Sequence, residues 1–296
     1  MSRILVVGAA GTLGHKLCQE FPRRGHEVIG TVRRPDSALA RVAPHARVIV
    51  GVDVLEGDAL ERAVRDARPE FVVNAVGIVK QLDAASNKHA STAVNAWLPH
   101  RLDRLCRELG ARLLHISTDC VFSGRRGNYV ESDPSDAEDI YGRSKWLGEP
   151  DAALTLRTSI IGRELKRPTH GLVEWFLDQK GKAVNGFAGA IYTGFTTIEM
   201  ARIMALVIEK HPRISGLFHV ASAPINKFDL LHLIRKAGGI EVEIRRDEAF
   251  VCDRSLLMSR FSEATGYRAP SWESMIREMC ADPTPYADIQ AQATRD

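Results

Sequence analysis

Apolar residues in the first half of the chain form short continuous runs, and each run is followed by a segment with helical periodicity. Runs of this length are typical of strands that are buried on both faces of a parallel sheet. Six of them are predicted as strands: residues 4–7, 27–32, 47–52, 71–77, 112–116 and 155–158. The repeated order of strand and helix predicts an α/β fold with a doubly wound parallel sheet.

A glycine-rich turn joins the first predicted strand to the first predicted helix. It has the sequence Gly-Ala-Ala-Gly-Thr-Leu-Gly over residues 8–14. Glycines let the backbone approach a pyrophosphate, and the helix N-terminus faces the pyrophosphate charge. The turn predicts a Rossmann-type dinucleotide site formed by Gly8, Gly11, Thr12, Leu13 and Gly14. A turn that only packs a helix closely on a strand is the alternative.

The residues after the second and third strands favour one nicotinamide dinucleotide over the other. Where an acidic residue would bind the ribose 2′-hydroxyl of NAD, the chain has Thr31 followed by Arg33 and Arg34. Two guanidinium groups suit a 2′-phosphate, so NADPH is predicted over NADH. The alternative is that the two arginines belong to an exposed basic loop with no role in binding. After the third strand come Asp53 and Val54, where the acid would accept from the adenine amino group or cap the next helix.

The fourth strand and the helix after it add further candidate cofactor residues. Ala75, Val76 and Gly77 are small or apolar and would let a cofactor lie across the end of the strand. A helix is predicted over 88–109, with a buried stripe of Val94, Leu98, Leu102, Leu105 and Leu109. Asn95 lies beside this stripe and either ties backbone near the site or is exposed. Ser117, at the end of the fifth strand, completes the predicted cofactor set.

Beyond residue 160 the regular alternation ends. Helices are predicted near 172–180 and at 197–210, 226–237, 259–265 and 271–280, with strands at 217–220 and 241–245. We expect residues 1–160 to form the nucleotide-binding domain, with 193–222 returning to it, and residues 161–296 to form mainly a smaller α/β substrate lobe. The polar tail 281–296 predicts a frayed end.

Composition excludes several classes of partner. The 296 residues are 45% hydrophobic and 26% charged, with a net charge of +3 that is too small to indicate nucleic-acid binding. The five cysteines are scattered without a Cys-x-x-Cys pair, which favours a reducing compartment and no metal site. No apolar run approaches the length of a membrane span, and the N-terminal run is too short for a signal peptide. We expect a cytoplasmic protein, with a homodimer left open.

Two further segments carry groups that could move a proton. Thr118 and Ser117 end a central strand, where doubly wound sheets bind ligands, so Thr118 is a candidate to hydrogen-bond a substrate carbonyl. Tyr141 and Lys145 are four residues apart on a predicted helix, which puts them on one face. A cation beside the phenol would lower the pKa of Tyr141. Cys120 has no evident histidine partner, so we predict a packed residue rather than a nucleophile.

The glycine turn, Thr118 and the Tyr141/Lys145 pair fall in order at the carboxyl ends of one predicted sheet. Together they resemble the extended short-chain dehydrogenase/reductase family, and within it the dTDP-4-dehydrorhamnose reductase group. Five segments carry a similarity that covers nearly the whole chain: residues 117–124 (STDCVFSG), 141–149 (YGRSKWLGE), 156–159 (LRTS), 216–220 (GLFHV) and 266–272 (GYRAPSW).

The resemblance implies an NADP-dependent oxidoreductase of polysaccharide biosynthesis. It implies that NADPH delivers hydride to C4 of a 4-keto-6-deoxy sugar nucleotide, with Tyr141 as proton donor, Thr118 polarising the carbonyl and Lys145 holding the nicotinamide ribose. Two alternatives stay open: a sugar-nucleotide epimerase or dehydratase that retains NAD, and a non-catalytic NADP-binding regulatory subunit.

The chain departs from the reductase pattern on the substrate side. The segment 77–83 lacks the usual acidic residues, Cys120 replaces an aromatic residue, and the segment 192–197 lacks a proline. Lys80, Thr196 and Arg254 are candidates to bind sugar or diphosphate, and each also fits a solvated loop residue. Trp175 is a candidate to stack on a nucleotide base, but we prefer the alternative that the segment Trp175-Phe176-Leu177 anchors its helix on the sheet.

Overall fold

The structure is a computed structural model that describes residues 1–78 and 87–292. Its strands, in chain order, are β1 (Arg3–Val7), β2 (Glu27–Val32), β3 (Arg47–Val50), β4 (Phe71–Asn74), β5 (Arg112–Thr118), β6 (Leu154–Thr158), β7 (Ile160–Ile161), β8 (Ala183–Tyr192), β9 (Phe195–Thr196), β10 (Gly216–His219), β11 (Ile225–Asn226) and β12 (Glu243–Asp253). The helices are α1 (Gly14–Arg23), α2 (Ser37–Val42), α3 (Gly57–Ala67), α4 (Lys88–Ser91), α5 (Leu98–Leu109), α6 (Ile140–Leu147), α7 (Leu172–Leu177), α8 (Thr197–Lys210), α9 (Lys227–Gly238), α10 (Ser259–Thr265), α11 (Trp272–Cys280) and α12 (Tyr286–Gln292).

Seven parallel strands form the main sheet and confirm the predicted fold class. Their order is β10-β6-β5-β4-β1-β2-β3, so the strand order reverses between β1 and β4. Ligands of doubly wound sheets bind at such a reversal, outside the carboxyl ends of the strands. β10 follows helix α8, far along the chain from β6, and pairs with β6 as the seventh strand of the sheet.

The region after residue 160, which we predicted to be mainly the substrate lobe, contains strands that the apolar pattern did not reveal. A second sheet has the order β11-β8-β12, with β8 antiparallel to β11 and parallel to β12. β8 was not predicted, because two glycines and two alanines interrupt its apolar alternation. β12 runs to Asp253, well past the predicted end at 245, because it is a largely exposed edge strand rich in charged residues.

The long helix before β5 is helical throughout but irregular in its middle. A π-helical segment, Thr92–Trp97, connects α4 to α5. Four residues of the predicted stripe are buried beneath the sheet, whereas Leu109 at the last position of α5 is exposed, since the helix ends there. Wider turns of this kind occur often at functional sites because they re-aim the side chains they carry.

The C-terminal segment differs most from its prediction. The tail 281–296 was expected to fray, but its described part forms α12, in which Tyr286 and Ile289 are buried against Leu165. Residues 293–296 lie outside the described residues. The polar residues of this segment did not predict a packed helix. Asp282, Thr284 and Tyr286 in fact bond to side chains of α1. In the described part of the chain, no helix is long and apolar enough to cross a membrane.

Candidate active site

The glycine turn at the end of β1 is as tight as the sequence predicted. Gly8 has a φ of +87°, and a Cβ at this position would lie 2.6 Å from Cγ2 of Val76. A Cβ on Gly14 would lie 2.1 Å from the Gly8 carbonyl oxygen, so α1 packs directly on the turn. The N-cap of α1, Leu13, gives the first turn no side-chain cap. The turn thus combines close packing with backbone that is open to an anion.

Two arginines lie beside this turn. The Gly8 N–H donates to Oγ1 of Thr31 at 3.4 Å, which joins the end of β2 to the turn. Arg33 and Arg34 follow and are exposed, and neither has an ion-pair partner within residues 1–78 and 87–292. Asp53 accepts from the Leu55 N–H at 3.0 Å within its own loop. It does not cap α3, whose N-cap is Glu56.

Asn95 joins the end of β4 to α6. It is buried in the π-helical segment, where Oδ1 accepts from the Ile78 N–H at 2.9 Å. Its amide donates to the Ile78 carbonyl at 2.9 Å and to Oγ of Ser144 at 3.3 Å. Of the two predictions for Asn95, the structure confirms the one in which it ties backbone. It fixes the loop of Ala75, Val76 and Gly77, whereas Lys80 lies outside the described residues.

Helix α6 lies unusually close to the end of β5. Its N-cap, Asp139, accepts from the Gly142 N–H at 2.8 Å. A Cβ on Gly142 would lie 2.2 Å from the Cys120 carbonyl oxygen, so only glycine lets the helix approach the turn after β5. This contact brings Tyr141 next to Thr118.

The electrostatic surroundings of Tyr141 overturn one prediction. Burial raises the pKa of Tyr141, and the nearby Cys120 and Asp119 add to the effect, while a hydrogen bond with Thr118 opposes it. We predicted a lowered pKa, and this direction is wrong because desolvation of the phenol dominates. Thr118 Oγ1 also donates to Asp119 at 3.1 Å and accepts from the Cys120 N–H at 3.1 Å.

Lys145 is held by the sheet and not by the phenol. Its Nζ donates to the Ile116 carbonyl at 2.6 Å, and the side chain is almost completely buried. Burial lowers the pKa of Lys145 to about 8, while the charge of Glu149 acts in the opposite direction. The amine is therefore mostly an ammonium at neutral pH. It binds the backbone of β5 at Ile116, the residue directly before Ser117.

A buried ion pair behind the site was not foreseen. Arg157 donates from Nε and Nη2 to the two oxygens of Glu149, at 2.8 and 2.7 Å. Ser117 Oγ donates to Oε1 of Glu149 at 2.5 Å, so its hydroxyl faces this network. His219 Nε2 faces Arg157 Nη1 at 3.4 Å. The alternation of side chains along β5 contained the signal, because Ser117 and Thr118 must point to opposite faces.

The substrate-side candidates have different surroundings. Arg254 donates to the Phe122 carbonyl at 2.7 Å and places its charge near Asp119. Thr196 is buried as the N-cap of α8 and accepts from the Glu199 N–H at 3.4 Å, so it is not a loop residue. Burial raises the pKa of Cys120 to about 12, in agreement with a packed thiol.

Two aromatic residues of the second half of the chain, Tyr192 and Trp175, differ in burial. Tyr192 is buried close enough to Asp119 and Cys120 for their charges to raise its pKa, after burial itself. Sequence reasoning did not assign it a role. Within the segment Trp175-Phe176-Leu177, which we predicted to anchor its helix, Phe176 is the fully buried anchor of α7, whereas the Trp175 side chain is 42% exposed.

The comparisons with known proteins agree with this geometry. The model of the RmlD substrate-binding domain matches residues 1–284. The chain belongs to this family. One curated relative, the spore coat polysaccharide biosynthesis protein SpsK of Bacillus subtilis, is 25% identical over 94% of this chain and 96% of its own length. A dTDP-4-dehydrorhamnose reductase of Streptomyces griseus is 36% identical over 53% of this chain, and the match spans 49% of that protein.

Solved structures share the fold of this RmlD-family chain. A hypothetical dTDP-4-dehydrorhamnose reductase from Sulfolobus tokodaii has a TM-score of 0.76 at 25% identity, over 92% of this chain and 99% of that one. The Bacillus anthracis reductase, solved in complex with NADP, has a TM-score of 0.78 at 19% identity, over 96% and 100%. WbmG of Bordetella bronchiseptica, solved with NAD and UDP, has a TM-score of 0.78 at 20% identity, over 95% and 94%.

Proposed function

We propose that this RmlD-family protein is an NADPH-dependent reductase of a 4-keto-6-deoxy sugar nucleotide. The observation that carries the proposal is the convergence of Thr118, Tyr141 and Lys145 at the carboxyl edge of the parallel sheet, next to a glycine turn. Relatives named as dTDP-4-dehydrorhamnose reductase and dTDP-4-keto-6-deoxy-D-glucose reductase support a sugar nucleotide as the substrate class.

The residues around the glycine turn fit a nicotinamide dinucleotide. Gly8 has a positive φ, and a Cβ there would clash with Val76, so the turn keeps the tight form that suits a closely approaching pyrophosphate. Exposed guanidinium groups at Arg33 and Arg34 suit a 2′-phosphate, and this supports NADPH as the preferred cofactor. Thr12, Val54 and Ala75 to Gly77 border the same edge of the sheet and would contact the dinucleotide.

The protein's own groups then divide the chemistry of the reduction. A bound NADPH would supply the hydride to the ketone carbon. Tyr141 donates its proton to the ketone oxygen as that oxygen becomes a hydroxyl, and its raised pKa keeps the phenol protonated and ready to do so. Thr118, whose hydroxyl donates to Asp119 in this structure, would turn its proton to the same oxygen when the ketone binds. Lys145 supplies a fixed positive charge that favours the transient phenolate, which then recovers a proton from solvent.

A panel of sugar nucleotides tests the proposal. The purified protein is incubated with 4-keto-6-deoxy sugars on dTDP, UDP and GDP carriers, and the absorbance of NADPH or NADH is followed. We expect oxidation of NADPH in stoichiometric amounts with at least one substrate, faster than that of NADH. A protein that is purified with bound NAD and interconverts epimers without net oxidation would contradict the assignment, as would binding of NADPH without turnover of any member.

A further inference from the structure

The C-terminal segment is bonded to the glycine turn through one histidine. His15, in the first turn of α1, is completely buried. Its Nδ1 lies 2.9 Å from the Gly11 carbonyl oxygen, and its Nε2 lies 2.9 Å from the hydroxyl of Tyr286 in α12. The imidazole therefore bridges residue 11 of the turn and residue 286 of the tail.

The geometry fixes one proton of this bridge. A carbonyl oxygen only accepts, so Nδ1 of His15 must carry a proton and donate to Gly11. In the neutral ring Nε2 is then an acceptor. The single proton of the Tyr286 hydroxyl has two acceptors within reach, Nε2 of His15 at 2.9 Å and Oδ2 of Asp282 at 3.0 Å. Asp282 also accepts from Lys16 and from the Thr284 N–H, whereas the Tyr286 hydroxyl is the donor that lies at Nε2 of His15.

A second set of contacts joins the tail to α1 beside this bridge. Lys16 and Asp282 form a nearly buried ion pair, and Lys16 also donates to Gln19 at 2.8 Å. Gln19 in turn donates to Thr284 at 3.1 Å. The guanidinium carbon of Arg163 lies 4.6 Å from the centre of the Tyr286 ring. These contacts fix the ring whose hydroxyl reaches His15.

The tail also contacts the loop that follows β2. Ala38 and Val42 of α2 pack against the cluster of Leu165, Tyr286 and Ile289. The N-cap of α2 is Asp36, which forms an ion pair with Lys166. One short C-terminal segment thus supports both loops that face the proposed dinucleotide: the glycine turn and the segment that begins with the two arginines.

We propose that Tyr286 is a positioning residue for the cofactor, acting through His15 on the Gly11 carbonyl. The Gly11 carbonyl accepts from both the backbone N–H and Nδ1 of His15, so the peptide plane of the turn is fixed from below. A fixed peptide plane keeps the neighbouring N–H groups aimed at the pyrophosphate without an ordering cost on binding. The inference rests on the proposed function, because it presumes a dinucleotide above the turn.

The test is the affinity of the full-length protein for NADPH, measured by the fluorescence of the bound cofactor. Tyr286→Phe keeps the ring and its packing and removes the donor to His15. We expect the Kd for NADPH to rise about 3- to 10-fold, as one lost hydrogen bond allows, with little change in kcat. His15→Asn retains a donor for Gly11 but does not reach Tyr286, so it should weaken binding similarly.

A matched control separates positioning from general loosening. Tyr267→Phe removes a half-buried hydroxyl, which donates to Glu199 at 2.7 Å and lies away from the turn. This change should lower Tm while leaving the Kd unchanged. In a His15→Leu background, Tyr286→Phe should have no further effect on the Kd, because both act through one bridge.

The outcomes separate this inference from the proposed function. If the wild-type protein binds NADPH and the folded Tyr286→Phe and His15→Asn variants bind it with the same Kd, the positioning role is overturned and the proposed function is not. An equal loss of affinity in Tyr267→Phe would also overturn it. If the wild-type protein binds neither NADPH nor NADH, the proposed function falls, and the inference falls with it.

Discussion

At the scale of single residues, the site depends on a phenol that stays protonated. Burial raises the pKa of Tyr141, whereas the pattern of Tyr141 and Lys145 alone suggested the opposite. For a reduction this is the useful direction, because the donor must hold its proton until the ketone oxygen gains charge. The ammonium of Lys145, fixed on the Ile116 carbonyl, then acts at the moment when the phenolate forms.

Replacement of Tyr141 by phenylalanine tests this assignment. Tyr141→Phe removes the proton donor and keeps the ring, so turnover should fall by about 10²- to 10⁴-fold. The Kd for NADPH should stay within about 3-fold of the wild-type value, since the ring still fills its place. Steady-state turnover and fluorescence titration measure the two quantities. Unchanged turnover in the variant would remove Tyr141 from the mechanism.

The titration of Lys145 predicts how activity depends on pH. Its pKa of about 8 means that the ammonium is present at neutral pH and is lost as the pH rises through 8. We expect kcat/KM for NADPH, which reports groups of the free enzyme, to fall above that pH. Lys145→Arg carries a charge that does not titrate, so its profile should lack this descent. An identical descent in the variant would assign the titration to another group.

At the scale of elements, the site depends on how closely α6 lies against β5. The N-cap at Asp139, the glycine at 142 and the amide of Asn95 all fix the position of this short helix. Helix α6 alone is too short to be stable in water, so these contacts rather than its helix propensity define its place.

Substitution of Gly142 by alanine separates helix propensity from this close approach. Gly→Ala in a helix would ordinarily stabilise it by about 1 kcal/mol. Here the new Cβ would meet the Cys120 carbonyl, so we expect a lower Tm and a loss of turnover. Gly57→Ala in α3 is the control, because its Cβ would meet only the flexible end of Arg101. Normal turnover in Gly142→Ala would mean that α6 can shift without harm.

The sequence predicted those elements whose signals are local. Continuous apolar runs located β1 to β6, and the periodicity of Met200, Ile203, Met204 and Val207 located α8 at its observed ends. Elements whose signals are not local were missed. β8 is interrupted by glycine, and β12 is a charged edge strand. The segment leading into α12 is polar, and its side chains Asp282, Thr284 and Tyr286 bond to residues of α1. The Glu149–Arg157 pair was also missed, because its partners are charged residues that only the fold brings into the core.

At the scale of the whole molecule, buried neutral histidines link stability to pH. His219 is an example: its Nδ1 lies 3.1 Å from the Tyr129 carbonyl and therefore donates, which leaves Nε2 as an acceptor facing Arg157. A second proton would point at the guanidinium. Burial, followed by the charge of Arg157, lowers the pKa of His219 to about 4 from 6.5. Burial also lowers the pKa of His15 to about 4.

Acid should therefore destabilise the fold. Between pH 6.5 and 4 the unfolded chain binds protons that the folded protein excludes, so the free energy of unfolding falls as the pH falls through this range. Each such histidine contributes a slope of up to about 1.4 kcal/mol per pH unit. Denaturant unfolding at several pH values measures it. His219→Gln should give a shallower slope, and an unaltered slope would contradict the role of this residue.

The position of β10 in the main sheet has a consequence for the order in which the protein can fold. During synthesis, β6 emerges long before its neighbour β10. One edge of β6 therefore stays unpaired while β7, β8 and α8 are still being made. An unpaired parallel edge is a template for another chain. We therefore expect nascent chains that stall between β6 and β10 to be a preferred substrate for chaperones.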